Sequence, residues 1–164
     1  MDFCFPEGFG SLLTKRCAGI LSSAIYTAEI KAAGKDRYNR PEYGARIEVA
    51  LCFSRDNGCT EVFHNRRSLP RGGKHIERIL SAVQDRLEWQ LDCPIDRQTL
   101  TRHLCLTVST TTTRYGTVWS DGTGTRIENT MICDMAHDCI KDDFSHYIKT
   151  HRADIRKIFG IENG

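Results

Sequence analysis

The sequence predicts an α+β domain in which a sheet of four strands is covered by helices packed on one face. Three observations carry that expectation. Short segments alternate apolar and polar residues at period two, and longer ones repeat apolar residues at steps of three and four. The two kinds follow one another as helix, three strands, helix, strand, helix, with no internal repeat and no shift of composition. The 164 residues therefore read as one domain, 1–164, long enough to bury a core.

The first element is a lead-in helix within 1–22, where Phe9, Leu12, Leu13, Cys17, Ile20 and Leu21 form one apolar face. "AIYTAEIKA" then sets Tyr26, Ala28 and Ile30 against Thr27, Glu29 and Lys31, as a strand does. A loop punctuated by Gly34, Pro41 and Gly44 leads to "ARIEVALCF". There Ile47, Val49, Leu51 and Phe53 face one way, and Arg46, Glu48, Ala50 and Cys52 the other. "SRDNG" ends in Asn-Gly, a hairpin signal, so "CTEVFH" is expected to return antiparallel beside it.

"NRRSLPRGG" reads as loop. Ile76, Ile79, Leu80, Val83, Leu87 and Leu91 then mark an amphipathic helix. "PIDRQTL" reads as a short helix with Asp96 as its cap, and "HLCLTV" as the fourth strand. "STTTTRYGTVWSDGTG" has no period and reads as a long loop. The last element is a long helix over 126–159 with one break near Thr150, carried by the stripe Ile132, Met135, Ala136, Cys139, Ile140, Phe144, Tyr147 and Ile148.

Bulk composition excludes several classes. The net charge of +2 is too small to argue for nucleic acid or an anionic membrane. No run approaches the ~18 apolar residues that would span a bilayer. The start "MDFCFPEGFG" has an acid where a secretion signal carries basic residues, so the expected location is cytoplasmic. Eight cysteines are scattered without a C-x-x-C pair, which leaves them as buried small hydrophobes rather than a zinc ribbon.

Three groups of residues invite a functional reading. Arg66, Arg67, Arg71 and Lys74 surround Gly72-Gly73 at a helix start, an arrangement that suits a phosphate, or equally a solvated loop whose glycines permit a tight turn. Gly122, Thr123, Gly124, Thr125 and Arg126 form a second glycine-rich approach to a helix. Cys133 and His137 lie one helical turn apart, yet no third or fourth metal ligand is local, and His146 and His151 lie further on; a core stripe accounts for the pair, and no metal is expected. Nucleophile signatures such as G-x-S-x-G are absent, so a free-standing enzyme has little to rest on.

Read in order, these segments resemble the transducer domain of the B subunit of bacterial type IIA DNA topoisomerases, gyrase B and its topoisomerase IV counterpart. "RIEVALCFSRDNGCTEVFHN" is similar to that family's VEVALQW…DG…FxNN hairpin. In "NRRSLPRGGKH", Asn65, Gly72, Gly73 and His75 stand in register with the family's N-x6-G-G-T-H. "DRQTLTRHLCLTV" and "FCFPEGFGSLLTKR" resemble two further family segments, so the likeness spans nearly the whole chain.

The resemblance implies a transducer-type fold, a four-stranded mixed sheet covered by helices, with a left-handed βαβ crossover that is an exception to the usual hand. It implies that Gly122–Arg126 correspond to Q-T-K-T-K/R, where the family's glutamine and first lysine contact the γ-phosphate of ATP bound in a neighbouring domain. Thr123, Thr125 and Arg126 fit that pattern, but glycines replace the glutamine and lysine, and glycine supplies no cation. The expectation is a degenerate sensor loop with no cofactor of its own, Mg-ATP belonging to the family's separate ATPase domain, and no catalytic residue here. In a complete enzyme the module would couple ATP-driven clamp closure to strand passage. Its partners would be topoisomerase subunits and non-specifically bound double-stranded DNA, with Arg66, Arg67, Arg71 and Lys74 as backbone contacts; no membrane or small-molecule substrate is implied. The alternative is a stand-alone degenerate transducer that regulates a topoisomerase or binds nucleic acid directly.

Overall fold

The computed structural model describes residues 8–34, 43–113 and 126–161. Five strands, β1 (Tyr26–Gly34), β2 (Tyr43–Phe53), β3 (Cys59–His64), β4 (Arg67–Ser68) and β5 (Leu104–Thr112), form one sheet in the order β1-β2-β5-β3-β4. All neighbours are antiparallel except β3 and β5, which run parallel. The crossover between that parallel pair carries helices α2 (Lys74–Leu91) and α3 (Arg97–His103). Helix α1 (Phe9–Arg16) precedes the sheet, and α4 (Thr130–Asp138), α5 (Asp142–Thr150) and α6 (Arg152–Phe159) follow it.

The sheet is mixed and covered by helices as expected, with differences that have local causes. It has five strands, because Asn65 and Arg66 both adopt positive φ (45° and 66°) and turn the chain into the two-residue β4. His64 pairs with Arg67 across that turn, the geometry of a tight hairpin. The expected hairpin between β2 and β3 does not form: β5 is inserted between them and pairs with both. Asn57-Gly58 instead lies against the end of α3, where Gly58 N–H donates to Arg102 O at 2.8 Å. A Cβ on Gly58 would sit 1.8 Å from Thr101 O, so this glycine serves a close approach and not a primed turn. β5 also runs on through Thr112, taking up residues read as loop, because β2 continues the ladder as far as Ala45 opposite Thr112 and β-branched threonines suit a strand.

Helices cover both faces, not one. Ile47, Val49, Leu51 and Phe53 of β2 join Leu104, Leu106 and Val108 of β5 in a large cluster with α2, α4, α5 and α6. The alternate residues Ala50, Cys52 and Cys105 pack with Leu13 and Cys17 of the α1 region on the other face. Of the lead-in helix expected over 1–22, residues 1–7 lie outside the described residues and the described helix ends at Arg16; its stripe finds a partner that local periodicity does not name.

The long C-terminal helix expected over 126–159 is three helices. α4 starts at Thr130 because Asn129 caps it, accepting from Ile132 N at 3.1 Å. It stops before Cys139, whose carbonyl accepts from the buried Tyr26 hydroxyl at 2.7 Å. That bond satisfies a carbonyl which a helix end leaves without an intrahelical partner. A second break falls at His151, and α6 ends on Gly160 (φ 67°) with Ile161 N–H returning to Arg156 O at 2.9 Å. Asp96 caps α3 as expected, accepting from Thr99 N at 2.7 Å. Among the described residues no helix is long and apolar enough to cross a membrane.

Candidate functional site

Ile127, just after the second glycine-rich segment, meets the first at the start of α2. Gly73 forms an isolated parallel bridge with Ile127. Ile127 N–H donates to Gly72 O at 3.0 Å, and Lys74 N–H donates to Ile127 O at 2.9 Å. Gly73 stands at φ 146°, and a Cβ there would lie 2.1 Å from Ile127 O. Only glycine admits the Ile127 backbone this closely. Ahead of it, Gly72 N–H closes a turn onto Leu69 O at 3.0 Å, with Pro70 at the second position.

This geometry revises the phosphate-cradle reading of Gly72-Gly73. The Lys74 amide at the helix start, which an anion would need, is already engaged by a backbone carbonyl. The glycines serve contact between two chain segments. Gly122, Thr123, Gly124 and Thr125 lie outside the described residues, and Arg126 is the part of that loop seen at the junction.

Electrostatics at the junction are mixed. Glu128, which sequence reasoning did not single out, lies 3.2 Å from Arg126 Nε and 3.6 Å from Lys74 Nζ. Two of the expected cations thus share one carboxylate. Arg66 and Arg67 project from the β3–β4 turn region and are exposed, as is Arg71. A cleft of about 700 Å³ opens beside them, bounded by Arg71, Gly72, Gly73 and Arg126 but also by Glu61 and Glu77. Of the four expected backbone contacts all are exposed, Arg71 borders the cleft, and Lys74 is partly neutralised by Glu128.

Asn65 and His75 play structural parts. Asn65 Oδ1 accepts from Thr112 N at 3.0 Å, tying the β3–β4 turn to the end of β5. His75 is fully buried, and neither ring nitrogen has a hydrogen-bond partner among the described residues. Burial, reinforced by the nearby His64, pushes its pKa down to about 4, so it is neutral near pH 7. A neutral buried imidazole contacts no phosphate. His64, also buried, is pushed down to about 4 by the same desolvation and bonds Thr110 Oγ1 at 2.8 Å.

Cys133 and His137 do not converge on a site. The thiol is buried in α4, while the imidazole is exposed and sits 3.5 Å from Asp138. Sequence reasoning missed a different group: Cys17, Cys52 and Cys105, whose sulfurs lie within 4.8 Å of one another. One signal was present, since Cys52 and Cys105 both occupy strand positions that face away from the main apolar stripe.

Fold and junction together define an α+β protein whose fold resembles that of the B subunits of bacterial type IIA DNA topoisomerases. By sequence, no protein family and no curated protein matches the chain. By structure, 98% of the chain superposes on the B-subunit of the DNA gyrase from Myxococcus xanthus, with a TM-score of 0.74 and 12% identity. It covers 97% of itself on the 43K ATPase domain of Thermus thermophilus gyrase B, crystallised with an aminocoumarin, with a TM-score of 0.67 and 14% identity. The topoisomerase IV ATP-binding domain of Francisella tularensis, in complex with a small-molecule inhibitor, matches over 97% of this chain with a TM-score of 0.66 and 12% identity. The chain spans 50%, 43% and 42% of those three chains.

Proposed function

We propose that this chain is a transducer-like module of a type IIA DNA topoisomerase. In the complete enzyme it couples ATP-driven closure of a clamp to passage of a DNA duplex, without catalysing either step itself. The observation that carries this reading is the agreement in fold over 97–98% of the chain with gyrase B and topoisomerase IV fragments. The junction of Gly73 with Ile127 supports it, because it ties the residue that follows the nucleotide-sensing segment of the resemblance to the start of the crossover helix. Arg66, Arg67 and Arg71 line the path of the duplex as sequence-independent phosphate contacts, with Lys74 a weaker member since it shares Glu128 with Arg126.

The alternative role, a stand-alone regulator of topoisomerase subunits, is favoured by Gly122 and Gly124 standing where the family carries glutamine and lysine. The test is to capture the native product from its source cell with an antibody to this domain. A product several times the 18.6 kDa of this chain, with ATP-dependent strand-passage activity, bears out the module. A product of 18.6 kDa whose depletion leaves that activity untouched overturns it.

A further inference from the structure

The thinly covered face of the sheet carries a constellation that the topoisomerase reading leaves unused. Cys52 of β2 and Cys105 of β5 are register partners, and Cys17 caps the end of α1 directly above them. Cys17 Sγ lies 3.6 Å from Cys52 Sγ and 3.7 Å from Cys105 Sγ, and all three thiols are free and buried. Cys59, the register partner of Cys105 on its other side, borders the cluster without joining it.

We propose that Cys17, Cys52 and Cys105 form a three-sulfur site for a thiophilic closed-shell cation, Zn(II) or Cu(I). A metal–sulfur bond of about 2.3 Å places tetrahedral thiolates about 3.8 Å apart, so the observed spacings need almost no rearrangement. The donor set contains no carboxylate and no imidazole, which rejects Mg(II) and Ca(II) and selects soft ions. Buried cysteines that serve only as small hydrophobes have no reason to converge; Cys93, Cys133 and Cys139 are dispersed.

Two further features fit an ion. A cleft of about 290 Å³, lined by Cys17 and Cys52 with Thr14, Ser22 and Ser23, gives access and room for a fourth ligand such as water. The Asn57 side-chain amide donates to Cys17 Sγ at 3.9 Å, the kind of outer contact that orients and stabilises a ligating sulfur. Binding is an exchange without redox change. Each of the three thiols releases its proton to solvent, including the one Cys105 gives to Asn57 O at 3.1 Å, and three metal–sulfur bonds form. Affinity therefore rises with pH.

The test uses the full chain, reduced and stripped of metal without oxygen. Cd(II), standing in for Zn(II), and Cu(I) are offered separately against competing chelators. The expected result is one ion per chain, an ultraviolet sulfur-to-cadmium charge-transfer band, and release of up to three protons per ion. Cys17→Ser and Cys52→Ala each weaken binding by about tenfold or more, while Cys133→Ser leaves it unchanged. Circular dichroism of each metal-free variant confirms folding; Cys17 follows the last turn of α1, outside the main core, so its variant decides the matter if Cys52→Ala unfolds. The two arms identify the ion that binds tighter. No charge-transfer band, equal affinity in Cys17→Ser, or thiols that only form a disulfide and take up no ion overturns the site.

Discussion

The two faces of the sheet are built differently. One is closed by α2, α4, α5 and α6 over a continuous cluster of leucine, isoleucine, valine and aromatic side chains. The other is covered in part by α1, over alanine and cysteine, and elsewhere bears charges such as Arg46, which pairs with Glu29 at 2.7 Å and Glu48 at 2.9 Å. The first face buries the area that holds the fold together. The second buries little carbon and concentrates sulfur, so it contributes less stability and offers more chemistry.

Truncation gives the largest test of that contrast. Phe144→Ala, at a fully buried ring stacked with Tyr147 and edge-on to Tyr26, is expected to cost about 3–5 kcal/mol in urea unfolding. Leu13→Ala, equally buried but beneath a short helix beside an open cleft, is expected to cost about 2 kcal/mol, the low end for its type. Equal losses would mean that α1 is as much a part of the core as α5.

Acid sharpens the comparison, because the buried histidines belong to the first face. His64 and His75 hold pKa values near 4 when native, against 6.5 for an ordinary histidine. Between those values the unfolded chain binds protons that the native pair refuses, so stability falls as pH drops from about 6.5 towards 4. Thermal melts at pH 7 and 5 check this, and His75→Leu is expected to flatten the dependence.

Next comes the junction. Gly73→Ala puts a Cβ against Ile127 O at a φ that side chains rarely adopt, for an expected loss of about 1–3 kcal/mol. Hydrogen exchange at the Lys74 and Ile127 amides reports whether the two segments part. The smallest effect is expected for Asn129→Ala, which removes the α4 cap at about 1 kcal/mol. Fraying of α4 alone, seen by exchange at Ile132, checks it.

How much of this was legible in the sequence differs from element to element. The strands over Tyr26–Gly34 and Tyr43–Phe53, the stripe of α2 and the Asp96 cap follow from period and side-chain chemistry within a few residues. Asn57-Gly58 misled, because the same dipeptide suits a primed turn and a close approach to another backbone. The candidate site was legible as two separate segments, Asn65–His75 and Gly122–Arg126. Glu128, which ties Lys74 to Arg126, had no local signal to mark it.

What the sequence alone determined is which residues face together along each element, since a periodicity of two or 3.6 is a property of one segment. What the tertiary structure decided is which segments become neighbours. It placed β5 between β2 and β3, broke the last helix where Tyr26 reaches Cys139 O, and set Ile127 on Gly73. It also gathered Cys17, Cys52 and Cys105, separated by 35 and 88 residues from the first, into one cluster. Contacts at that separation depend on how the whole chain closes on itself, and no local pattern encodes them.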